Sequence, residues 1–155
     1  LYMVNSLTDA NLHNYDLLEQ YYFTTLHHEF THILNQKIPY DSEFDKISTG
    51  DYVSVNWYQV PEAEALSKGF IRNYAMVEPR EDFAETMAQY ITNSDATWES
   101  KLTRAGASGR AIIEKKLDYI KKYMKDSWNL DLDELHRAVQ HRGQELDKLD
   151  LEHLN

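Results

Sequence analysis

The stretch "LHHEFTHILNQ", Leu26 to Gln36, places two histidines four residues apart, with a glutamate directly after the first. Around it, Tyr15 to Lys37 carries a helical period: Phe23, Leu26, Phe30, Ile33 and Leu34 fall on one stripe, and Pro39 closes the segment. That stripe is expected to face the core, with His28 and His32 on the other side. On a helix, residues four apart are roughly 40° apart around the axis and roughly 6 Å apart along it. The two imidazoles can therefore converge on one ion at a Zn–N distance of about 2.0–2.1 Å. Glu29 points to the neighbouring sector, where it reaches a metal-activated water more readily than the metal. Zinc lowers the pKa of such a water, and a carboxylate beside it takes the proton as the water attacks a carbonyl. The plainer reading is a solvated surface helix on which two of the chain's seven histidines fall one turn apart.

A third ligand separates the two readings. One class of HExxH enzymes takes it from a histidine six residues after the second, with a glycine three residues after it. Asn35 and Ile38 stand at those positions, which excludes that class. The other solution is a carboxylate from a separate helix. Downstream lies "EPREDFAETMAQY", Glu78 to Tyr90. Glu81 and Glu85 are one turn apart and share a face with Ala84 and Ala88, while Phe83 and Tyr90 point away. Two carboxylates flanked by alanines let another helix approach closely. A solvated acidic stripe near a helix start is the bland alternative, since Glu is favoured there. By reach, Glu81 is expected as third ligand, and Glu85 as acceptor of the other ring N–H of a ligand histidine. Asp82 stays open as an alternative ligand, because spacing alone does not separate it from Glu81.

On "HEFTH", "GFIRNYA" and "EDFAETMAQYI", the chain resembles the zinc-binding metallopeptidase family found among surface lipoproteins of Bacteroidetes-type bacteria. The resemblance runs from about Tyr22 to Ile91 and continues more loosely to the C-terminus. The HExxH plus ExxAE arrangement is also similar to anthrax lethal factor and, more distantly, to thermolysin-like gluzincins. It implies one zinc ion, Glu81 as ligand, Glu85 behind a histidine, and a peptide or protein substrate. It also implies an exported, lipid-anchored protein at the cell surface or in the periplasm. Enzymes of this kind often use a Tyr or His to stabilise the oxyanion. Tyr74, seven residues before Glu81, is the candidate, although a structural tyrosine is the plainer explanation. Tyr21 lies one helical repeat before His28 and could line the cleft.

The remaining sequence bounds these expectations. With 155 residues the chain is long enough for one domain with its own core, and we read residues 1–155 as a single unit. A net charge of −10 argues against a nucleic-acid backbone as partner. No apolar run is long enough to span a bilayer. With no cysteine, neither a disulfide nor a thiolate metal site can form. The chain opens on the apolar "LYMVN" without an initiator Met, which we read as the C-terminal part of a longer precursor whose anchor signal lay upstream.

Leu1–Asn5 is expected as a short strand and Tyr52–Tyr58 as a strand or extended loop. Helices are expected over Pro61–Tyr74, about Arg80–Thr92, Ala107–Lys125 and, after an Asp131 cap, to about Leu149. In the third of these, Ile113, Leu117, Ile120 and Met124 form the inward stripe, and in the last Leu135, Val139 and Leu146 do. The fold class expected is mostly α: an α+β zincin-like domain with its active-site and ligand helices packed together beside a small N-terminal sheet. His27 is read as packed or solvated, His136 and His141 as surface residues, and Trp57, Trp98 and Trp128 as core or rim. The favoured activity is zinc-dependent peptide hydrolysis, with Glu29 as general base. Its rival is a catalytically silent zinc-holding binding or assembly module.

Overall fold

The computed structural model of the protein describes Leu18 and residues 22–145. Among the described residues five α-helices run in order: α1 (Thr24–Lys37), α2 (Glu62–Ser67), α3 (Pro79–Thr92), α4 (Asp95–Trp128) and α5 (Leu132–Glu145). Two 3-10 segments, Ser54–Gln59 and Asn73–Met76, lie between α1 and α3. α3 is the hub, packing against α1, α4, α5 and the second 3-10 segment. Every residue from Asp82 to Gln89 of α3 is buried.

The expected α+β class with a small sheet is overturned. Among the described residues there is no strand, and Leu1–Asn5 lies outside them. Tyr52–Tyr58, the other strand candidate, contains a 3-10 helix. Ser54 takes a left-handed φ of 51°, which interrupts an extended run. Local bonds from Asn56 N–H to Val53 O and from Val60 N–H to Trp57 O then close the turns.

The helices follow local signals closely where those signals are strong. Ser94 caps α4, its Oγ accepting from the Thr97 N–H at 3.2 Å. Asp131 Oδ1 accepts from the Asp133 and Glu134 N–H groups ahead of α5. The Ile113, Leu117, Ile120, Met124 stripe is buried as its period requires, and Leu135 and Val139 pack against the same core. α4 begins earlier than its stripe suggests and kinks at Gly106, whose φ of 68° no other residue type adopts readily. The expected Pro61–Tyr74 helix stops at Ser67, because Gly69 turns the chain left-handed at φ 83°.

An aromatic cluster ties these elements together. Tyr40 stacks on Phe83 with centroids 4.6 Å apart, and Phe44 and Tyr123 meet the same ring edge-on. Phe44 and Phe83 are fully buried, so together they fix the 40–50 loop against α3 and α4.

Most of the apolar stripe of α1 does not face inward; only Leu34 does. Leu26, Phe30 and Ile33 are 42%, 54% and 52% exposed. The buried residues are Thr24, His28, Thr31 and Leu34. The polar members are hydrogen-bonded: Thr31 OH donates to His27 O, and Thr24 and Thr92 join their hydroxyls at 2.9 Å. α1 thus turns its histidine face toward α3 at the expense of its apolar one, a local rule broken where a site is built.

Candidate metal centre

His28 and His32 stand one turn apart on the buried side of α1, and Glu81 reaches them from the first turn of α3. The two Nε2 atoms are 3.0 Å apart. Glu81 Oε2 lies 3.1 Å from His28 Nε2, and Oε1 lies 3.4 Å from His32 Nε2. Donors bound tetrahedrally at about 2.05 Å from one ion would sit roughly 3.3 Å apart. Three donor atoms from these side chains lie within 4.8 Å of one another and could hold a metal ion. Glu81 Oε2 is buried without a well-directed hydrogen bond, a shortfall that a cation would satisfy.

Behind His28, Glu85 Oε1 lies 3.0 Å from Nδ1, and its Oε2 lies 3.5 Å from Arg72 Nε. Neither contact is a well-directed hydrogen bond; as charge contacts they keep the Nδ1 edge beside Glu85 and leave Nε2 for the centre. Burial works to lower the His28 pKa, but the Glu81 and Glu85 carboxylates outweigh it and raise it to about 9. The neighbouring imidazoles, His28 first, hold the Glu81 carboxyl well below the usual carboxylate range. The two shifts have one cause: the His28 imidazolium and the Glu81 carboxylate favour each other.

A family model described as "Putative zinc-binding metallo-peptidase" matches residues 1–133. The chain belongs to this metallopeptidase family. The crystal structure of a protein of the same description from Bacteroides caccae is 45% identical, with a TM-score of 0.91. That likeness covers all of this chain and 58% of the other, so the chain spans little more than half of that protein. No curated protein matches the chain.

Glu29 is exposed at the rim of an open cleft of about 780 Å³. His32, Tyr40, Asp45, Arg80 and Glu81 line the same cleft. Tyr74 sits with its ring 5.9 Å from that of His28. Partial burial and the Glu81, Glu85 and Glu29 charges push its phenol up to about 12. Trp57 packs edge-on against Tyr74 at 4.9 Å, so this tryptophan buttresses the site's rim. Tyr21 lies outside the described residues.

Asp82 does not reach the centre. It is fully buried on another side of α3, with Oδ2 2.7 Å from Lys116 Nζ. Consecutive helical residues diverge by roughly 100°, so when Glu81 faces α1, Asp82 faces α4. His136, expected at the surface, is also buried: Nδ1 lies 2.8 Å from Tyr90 O and Nε2 3.0 Å from Asp95 Oδ1. His141 is exposed, and His27 is half-buried with its pKa lowered by that burial.

Arg72 and Lys116 were missed in the sequence. Arg72 sits within "GFIRNYA" but gave no periodic signal. Lys116 lies on the stripe side of α4 beside Leu117, where a lysine reads as solvated until its partner is seen.

Proposed function

We propose that the protein is a zinc-dependent peptidase. His28, His32 and Glu81 hold one zinc ion, and Glu29 acts as general base. The observation that carries the reading is the convergence of three donors from two helices at separations of 3.0–3.4 Å, beside an open cleft. Zinc bound there would act as a Lewis acid and lower the pKa of a water to near neutrality. Glu29 accepts the proton of the attacking water and passes it to the departing amine. Tyr74, whose phenol burial and the nearby carboxylates push up, donates its O–H to the developing oxyanion. Glu85 holds His28 through Nδ1, and Arg72 holds Glu85. The cleft along Tyr40, Asp45 and Arg80 receives the peptide chain.

The test pairs metal analysis with a peptide-library digest of wild type and Glu29→Gln. One equivalent of zinc, with cleavage that disappears in the variant, is expected. Stoichiometric zinc without any cleavage by wild type would replace this reading with a zinc-holding binding module.

A further inference from the structure

The ligand helix α3 begins without a cap. Glu78, at its N-cap, makes no side-chain hydrogen bond to the first turn, and its carboxylate turns outward to Arg80 at 3.3 Å. The first turn of an uncapped helix leaves N–H groups unpaired and frays readily. Glu81 lies in that turn, yet its carboxylate must meet two imidazoles on another helix. Pro79 at the first position favours the helix start but does not fix where Glu81 points.

We propose that the buried Lys116–Asp82–Tyr52 assembly is a positioning strut that sets the height and rotation of Glu81. Asp82 follows Glu81 directly and is anchored on three sides. Lys116 Nζ is 2.7 Å from Oδ2, the Tyr52 hydroxyl donates to Oδ2 at 3.0 Å, and the Thr86 hydroxyl donates to Oδ1 at 3.4 Å. Lys116 is held in turn: its ammonium donates to Gly69 O at 2.7 Å and lies 3.8 Å over the Phe70 ring. Both charged side chains are 0% exposed. A buried ion pair contributes little net stability compared with apolar residues of like volume, so packing alone does not account for it. What it does provide is a fixed point, one residue from Glu81, that joins α3 to α4, to the turn after α2 and to the segment carrying Tyr52. Asp82, Lys116 and Tyr52 act through Glu81 and touch neither metal nor substrate.

The inference rests on the metal-centre reading, and metal binding itself separates the two. Zinc affinity is measured by competition with a chromophoric chelator, and the visible absorption of the cobalt-substituted protein reports ligand geometry. The variants are Asp82→Asn, Tyr52→Phe and the apolar pair Asp82→Leu with Lys116→Met. The apolar pair is expected to melt at or above wild type, yet to bind zinc about 10–100-fold more weakly, as outer-shell losses typically do. Its cobalt spectrum is expected to be altered. A purely structural pair would leave affinity and spectrum unmoved, and wild-type values in the apolar pair overturn the strut. If that pair does not fold, Asp82→Asn and Tyr52→Phe decide: weaker zinc binding in both supports the strut, and unchanged affinity in both overturns it. A wild type that takes up no zinc overturns the metal centre itself and the strut with it.

Discussion

Glu81 and Asp82 are consecutive carboxylates with opposite partners: Glu81 lies 3.1 Å from the His28 imidazole, and Asp82 lies 2.7 Å from the Lys116 ammonium. Their substitutions should therefore fail in different ways. Glu81→Ala is expected to lose more zinc affinity than the about 10–100-fold typical of an outer partner, while its fold holds. Asp82→Ala leaves a lysine buried without its counter-charge and should lower stability by about 3–5 kcal/mol. Chemical denaturation and chelator competition on both variants read the contrast. A greater zinc loss in Asp82→Ala would move the ligand assignment by one residue.

Glu29→Gln should keep zinc and fold but lose about 10²–10⁴-fold in kcat, because an amide of the same shape cannot accept the water's proton. KM should change little, since Glu29 is not placed to grip the substrate before reaction. Steady-state kinetics on a library-derived peptide measure both constants, and cleavage at the wild-type rate would remove Glu29 from the mechanism.

Tyr74→Phe removes a hydroxyl whose proton is held up to about 12. Loss of one oxyanion donor reduces kcat by about 10²-fold or more, and zinc content should be unchanged because the phenol is not among the converging donors. A kcat within twofold of wild type would make Tyr74 a packing residue against Trp57.

Metal-free protein should show a pH dependence set by His28 and Glu81. His28 is raised from 6.5 to about 9, so its stabilisation is complete below pH 6.5 and lost as pH rises through about 9. Glu81 is lowered from 4.5, so its contribution is present above that value and lost as pH falls. This pair therefore favours the metal-free fold most strongly between 4.5 and 6.5. Zinc needs the neutral imidazole, so the stabilisation it confers should grow as pH rises from about 6 to 9. Thermal melts across that range, with zinc and with chelator, should diverge progressively. Parallel curves would contradict the raised His28 pKa.

Gly109→Ala should destabilise the domain without touching the centre directly. An added Cβ would stand 2.2 Å from the Leu66 carbonyl oxygen and 3.1 Å from the Ser67 backbone. The backbone there cannot yield cheaply, so α4 and α2 must separate. Overpacking of this kind destabilises by about 1–3 kcal/mol, which a denaturation midpoint measures.

The sequence by itself determined what one helical turn can determine. His28 and His32 converge because an i, i+4 pair shares a face wherever the helix is placed. The cap at Asp131 and the Ile113–Met124 stripe are legible for the same reason: their signals are complete within a few residues. Tertiary structure decided which faces meet. Periodicity grouped Leu26, Phe30 and Ile33 into an apolar stripe, but could not say that α1 would present its histidines to α3 and leave that stripe exposed. The choice between Glu81 and Asp82 turns on roughly 100° of helix rotation, and that angle has meaning only once α1 and α4 flank α3. Lys116 and His136 looked like surface residues because what pairs each of them, Asp82 and Gly69 for one, Asp95 and the Tyr90 carbonyl for the other, lies 34 to 47 positions away. A buried charge or imidazole is tolerable only where such a partner arrives, and that arrival is a property of the folded chain.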